Sequence, residues 1–235
     1  AGGDWDDTLQ PAKEHMKEHL VSAWTVALCY QTLQGLAQLP LEAAKKARVL
    51  AGRIVRDFPA RLIKDGVIAG FLLKNEQGDD EYLLHPRDKT TGITLRLLPM
   101  TRSIIACLSS PEQAARSIAV IDQKLLCPDG VRLMDAPARY LGGVSHMFQR
   151  AEQAANVGRE ISLQYVHAHI RYVEAMACLG RNDRTLTGLM TIAMPLITKR
   201  VPNALPRQSN LYFSSSEGDF PDRYAYAEGF DRLRD

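Results

Sequence analysis

The stretch Ser110-Pro111-Glu112-Gln113-Ala114-Ala115-Arg116-Ser117-Ile118-Ala119-Val120-Ile121-Asp122-Gln123-Lys124-Leu125 reads as a helix from its first residue. Ser110 is an N-cap, Pro111 fits the first helical position, where no N–H is needed, and Glu112 favours the positive end of the helix dipole. Ala114, Ile118, Ile121 and Leu125 then fall on one stripe. Pro128-Asp129-Gly130 stops the helix, and Asp129-Gly-Val-Arg-Leu-Met-Asp135 reads as an edge strand leaving it.

Working outward, the same periodicity recurs. From Pro11 to Leu39 a helical pattern places Met16, Leu20, Ala23, Trp24, Ala27 and Gln31 on one side, with Pro11 in the first turn and Pro40 closing the segment. Leu41 to about Ile63 repeats it with a basic outer face. Gly66 to Leu84 is rich in β-branched and aromatic residues around Glu76-Gln-Gly-Asp-Asp80, which predicts a short hairpin. Asp135 to Ser145 is a Pro/Gly-rich loop. Helices are expected again over Ile161–Leu179 and Arg184–Lys199, separated by Gly180-Arg-Asn-Asp183, and the chain beyond Pro202 reads as loop to about Asp222. Ordinary bundles connect helices through roughly 2 to 8 residues. Paired helices joined by longer, motif-bearing loops instead suit an α/α toroid, so the expected fold is mainly α, a segment of such a toroid with a short β-hairpin.

A chain of 235 residues, 46% hydrophobic, is long enough for a substantial core. Its 29 basic and 27 acidic residues leave a net charge of +2, so no long-range field points to nucleic acid or an anionic membrane, and any anion must be bound locally. Cys29, Cys107, Cys127 and Cys178 are scattered through apolar surroundings without metal-ligand spacing, which predicts reduced core residues in a cytoplasmic protein.

Three constellations carry possible chemistry. In Gly2-Gly3-Asp4-Trp5-Asp6-Asp7, neighbouring carboxylates repel one another, which can keep one protonated as a general acid, while Trp5 offers a flat face to a sugar. On residue chemistry alone, a solvated acidic N-cap before the helix at Pro11 is the more common account of these residues. In Arg159–Arg171, Glu160, Gln164, His167 and Arg171 share one helical stripe opposite Ile161, Val166, Ile170 and Val173. Such a stripe is either a solvated face or the wall of a cavity. His167 and His169 diverge by about 200° on a helix, which opposes joint metal ligation and leaves His169 as a packing residue. The third, Arg207–Glu217, is a polar and aromatic loop that suits either a carbohydrate subsite or a surface turn.

At these residues the chain resembles glycoside hydrolase family 94. Asp4-Trp5-Asp6-Asp7 matches the family's DWND-type motif, and Arg159-Glu160 with Gln164-Tyr165-Val166-His167-Ala168 matches its KENGGQYTHA-type motif, in the expected order. The stretches GGDWDDTLQP, YLLHPRDKTTGI, LLCPDGVRLMD and GREISLQYVHAHIRY look like the branch that acts on β-1,2-linked glucans. Asp6 in place of Asn, and Ile161-Ser162-Leu163 in place of Asn-Gly-Gly, point away from cellobiose.

The resemblance implies an (α/α)6 toroid and an inverting phosphorylase that converts a β-glucan and inorganic phosphate to α-glucose 1-phosphate and a shortened chain. Asp7 is then the general acid. Trp5 and Asp4 bind the transferred sugar, Arg159, Glu160 and Gln164 line the substrate site, and His167 binds phosphate. No cofactor or metal is implied, phosphate being a substrate. A phosphorylase needs one acid plus an anion cradle, because phosphate replaces the base-activated water of an inverting hydrolase. Residues 1–235 are expected to be the C-terminal part of the catalytic domain, truncated at both ends, with the remainder of the polypeptide as partner and a homodimer possible. Two rival readings are an inverting toroid hydrolase using Glu160 as base, and a non-catalytic carbohydrate-binding domain of a larger glucan synthase.

Overall fold

The computed structural model describes residues 4, 6–127, 130–136, 138–139, 142–153, 166–193, 196 and 199. After a 3-10 turn at Asp7–Leu9 come α1 (Glu14–His19), β1 (Leu20–Ser22), α2 (Ala23–Ala37), α3 (Ala43–Leu62), β2 (Ile63–Lys64) and β3 (Val67–Ile68). The hairpin β4 (Phe71–Lys74) and β5 (Asp80–Leu83) leads to α4 (Leu97–Ile105) and α5 (Pro111–Lys124). A small hairpin of β6 (Leu126–Cys127) and β7 (Gly130–Val131) precedes α6 (Gln149–Gln153), α7 (Val166–Cys178) and α8 (Asn182–Ile192).

The helices pair in sequence: α3 lies against α2, α5 against α4, and α8 against α7. The leading members also touch one another, with α4 between α2 and α7. This central placement explains the composition of α4, in which every residue but Arg102 is buried. Direction follows from side-chain contacts. Ser22 at the start of α2 and Arg96 at the start of α4 meet on Asp4, and further along the same two helices Gln31 meets Arg102. Thus α2 and α4 run parallel. In α3 the buried stripe is Ala44, Ala47, Ala51, Phe58 and Leu62, and the small alanines let its backbone approach α2 closely.

The helix expected over Pro11–Leu39 is broken. Pro11 forms an isolated bridge with Phe148 instead of opening a helix. Leu20–Ser22 is a strand, antiparallel to β4 with Leu20 opposite Leu73 and Ser22 opposite Phe71. Ser22 then caps α2, its Oγ accepting from the Thr25 N–H at 3.2 Å. The expected β4–β5 hairpin is present, its turn held by Asn75 Oδ1, which accepts from the N–H groups of Gln77 (3.1 Å) and Asp79 (2.8 Å). Ser110 caps α5 as expected, accepting from the Gln113 N–H at 3.2 Å. The last expected helix is interrupted: α8 ends at Ile192, where Ala193 turns extended (ψ 107), while Leu196 and Lys199 are again helical.

The cysteines are free, but three of the four (Cys29, Cys107 and Cys178) are exposed and Cys127 is half-buried. The expectation of core thiols is therefore corrected. Cys29 lies off the buried stripe of Ala23, Ala27 and Tyr30, and Cys178 lies past the last buried residue of α7, Met176. Among the described residues no helix is long and apolar enough to cross a membrane.

Candidate active site

The acid-rich turn is built around Arg96, the residue preceding α4. Its side chain has no solvent exposure and grips Asp4 with Nη1 to Oδ2 at 2.8 Å and Nη2 to Oδ1 at 2.6 Å. Its guanidinium carbon stands 5.1 Å from the centre of the Phe71 ring, a cation–π distance. Asp4 also accepts from Ser22 Oγ at 2.5 Å and from the Asp6 N–H at 3.1 Å. Asp6, fully buried, turns its carboxylate to the Thr8 N–H at 3.1 Å and hydroxyl at 2.5 Å, capping the 3-10 turn that Asp7 begins. The backbone of Asp7 is thereby fixed from both sides, while its side chain lies outside the described atoms.

Repulsion among the three carboxylates is not what governs Asp4. Burial pushes its carboxyl up, but the Arg96 charge and hydrogen bonds from Arg96, Ser22 and the Asp6 backbone outweigh this and hold it below the usual carboxylate value. Asp4 is an ionised anchor. Burial opposes the charge on Arg96 in turn, and Asp4 and Asp6 more than restore it.

Towards the C-terminal end of α4, His167 and Arg171 of α7 are brought together as the sequence stripe requires, and Arg102 of α4 joins them. Both guanidinium charges act on His167. Burial first, then Arg171 and Arg102, hold its imidazole below the ordinary value, so it is neutral near pH 7. Arg102 Nη1 donates to Gln31 Oε1 at 2.9 Å and Arg171 Nη1 to Glu174 Oε2 at 2.6 Å. The Nε atoms of both arginines are buried without a hydrogen-bond partner among the described residues. Two guanidinium groups beside a neutral imidazole are the donor types that an anion site uses.

His169, two residues on, faces elsewhere, as expected. It is buried, its Nδ1 accepting from the Val131 N–H at 3.0 Å and its Nε2 donating to the Gly188 carbonyl at 2.9 Å. The segment Val131–Asp135 thus becomes a strap between α7 and α4. Beyond Val131, the Leu133 carbonyl accepts from the Leu97 N–H at 2.9 Å. Asp135 accepts from the N–H groups of Thr94 (2.9 Å) and Leu95 (2.8 Å) and from the Thr94 hydroxyl. Glu152 secures the neighbouring loop, accepting from the N–H groups of His146, Met147 and Phe148.

Arg96 and Arg102 escaped the sequence reading. The available signal was their placement in the apolar run Leu95-Arg96-Leu97-Leu98-Pro99-Met100-Thr101-Arg102-Ser103-Ile104-Ile105, since a guanidinium in such a run is buried only if paired. Trp5, Arg159, Glu160, Gln164 and the 207–217 loop lie outside the described residues.

No protein-family model matches the chain. Over 99% of its length it is 50% identical to the 1,2-beta-oligoglucan phosphorylase of Listeria innocua serovar 6a. The chain is a relative of a 1,2-β-oligoglucan phosphorylase. It spans 21% of that enzyme. The β-1,2-glucan branch suggested by the sequence motifs is therefore the one in which a relative is found, and the likeness to 1,2-β-oligoglucan phosphorylase runs through the acid turn, α4 and the His167 helix alike.

Proposed function

We propose that this chain belongs to an inverting glycoside phosphorylase of glycoside hydrolase family 94 that takes β-1,2-linked gluco-oligosaccharides. Its three helix pairs, with parallel α2 and α4 leading two of them, would form part of an (α/α)6 toroid. The observation that carries the reading is the grouping of His167, Arg102 and Arg171 from two neighbouring helices, one of which also carries the anchor of the acid turn at its start. Arg96 and Arg102 are separated by about 9 Å along the axis of α4. A phosphorylase needs an anion cradle in addition to its acid, whereas a hydrolase does not.

In the proposed reaction a phosphate oxygen attacks the anomeric carbon as the β-glycosidic C–O bond breaks on the opposite face. Asp7 gives its proton to the departing oxygen and recovers one from the phosphate group of the product. The products are α-glucose 1-phosphate and a chain shortened by one glucose. His167, being neutral, donates one N–H to phosphate without adding a fixed charge, while the two arginines supply the positive field.

The test uses the whole protein with β-1,2-gluco-oligosaccharides and phosphate. α-Glucose 1-phosphate should appear, and Asp7→Asn should lower phosphorolysis by more than the roughly 10²-fold expected for loss of a general acid. Release of free glucose in phosphate-free buffer at the full rate would establish a hydrolase instead.

A further inference from the structure

We propose that Arg96 is the positioning residue of the acid turn, setting both the place and the charge environment of its proton-donating carboxyl. This rests on the assignment of the acid to the Asp4–Asp7 turn.

The argument is a chain of contacts. Arg96 reaches across 92 residues of sequence to hold both oxygens of Asp4. Asp4 passes the constraint to the Asp6 N–H, and Asp6 passes it to Thr8 through the cap, so the intervening Asp7 has its backbone pinned on either side. Arg96 is itself fixed by its place directly before α4, by the bridge between Arg96 and Met134, and by the Phe71 ring. Nothing in this relay needs Arg96 to touch substrate. Among the described residues, the charged groups acting on Arg96 are Asp4 and Asp6. Its positive charge therefore lies within the same turn as the proposed acid and favours ionisation of any carboxyl there. A lysine would keep that charge but lose the two-point grip, because an ammonium is a point donor without the planar fork of arginine.

The experiment compares Arg96→Lys, Arg96→Gln and wild type in the whole protein, measuring folded fraction and the pH profiles of kcat and kcat/KM for phosphorolysis. For Arg96→Lys we expect kcat per folded molecule to fall at least tenfold, with KM for phosphate changed less than twofold and the basic limb where it is in wild type. For Arg96→Gln we expect the basic limb to move to higher pH, since removing a nearby cation raises the pKa of the acid. A role in folding alone predicts lower activity in proportion to lost folded protein, with both limbs unmoved, and that result would overturn the proposal. If Arg96→Gln does not fold, the Arg96→Lys split between kcat and KM decides it, unchanged kcat per folded molecule being the refuting outcome. Asp7→Asn in parallel tests the acid separately. Full activity there would remove Asp7 from its role, whereas the Arg96→Gln limb reports on whichever carboxyl of the turn gives up the proton.

Discussion

Gly188 of α8 lies so close to Val173 of α7 that a Cβ at position 188 would stand 2.7 Å from the valine Cγ2. Val173 cannot retreat easily, because a β-branched residue in a helix has one strongly preferred rotamer and this one is buried. The carbonyl of the same glycine holds His169. Gly188→Ala gains up to about 1 kcal/mol of helix propensity but incurs about 1–3 kcal/mol of overpacking. Net destabilisation is expected in urea unfolding, and a more stable variant would contradict this account of the α7–α8 contact.

Ser110 provides a separate check on local structure. Its hydroxyl is the acceptor for the Gln113 N–H at the start of α5, so Ser110→Ala should cost about 1 kcal/mol while Ser110→Asp should restore most of it. Chemical denaturation of the three proteins side by side measures this. Equal stability of wild type and Ser110→Ala would mean that Pro111 and Glu112 start the helix without the cap.

The Asp4–Arg96 pair predicts a pH dependence of stability. The folded-state pKa of Asp4 lies below its ordinary value, so the fold binds fewer protons than the unfolded chain as acid is added. The resulting stability is fully present above about pH 4, the ordinary carboxylate range, and is lost as pH falls through the lower folded value. Asp4→Asn should flatten the stability curve below about pH 4. Arg96→Met leaves a buried carboxylate unpaired and should cost about 3–5 kcal/mol at neutral pH. A curve for Asp4→Asn that drops as steeply as wild type would show that other carboxylates govern acid unfolding.

For the cationic group, His167→Ala and Arg102→Gln in the whole protein should each raise KM for phosphate by about 10- to 100-fold, the range expected for a lost hydrogen bond to a charged group. KM for the oligosaccharide should stay within about twofold of its wild-type value, a bound set by the absence of a direct sugar contact in the proposed arrangement. Steady-state kinetics with each substrate varied in turn distinguishes the two. Equal increases for both substrates would reduce His167 and Arg102 to structural residues.

What could be read from the sequence was what neighbouring residues decide. Ser110-Pro111-Glu112 announces a helix start because the cap, the proline and the dipole act within one turn. Leu20–Ser22 was hidden because Met16, Leu20, Ala23 and Ala27 keep helical spacing straight across it, and only pairing with Leu73 and Phe71 makes it a strand. In the site, the acids of the turn and the His167–Arg171 spacing were visible as a motif and a stripe. Their partners Arg96 and Arg102 were not, since no local pattern says which distant residue a buried guanidinium will meet. The cysteines misled for a related reason: apolar neighbours in sequence do not fix which side of a helix faces the core.

The strap of Val131–Asp135 and the Arg96–Asp4 grip have a consequence for the order of assembly. Helix pairs such as α2–α3 close over short loops, whereas the contacts that build the site join residues 92, 41 and 38 positions apart. Closing those long loops costs entropy before any contact repays it, so the pairs form early and the site closes late. Substitutions in the strap or the grip should therefore accelerate unfolding while leaving the rate of folding nearly unchanged.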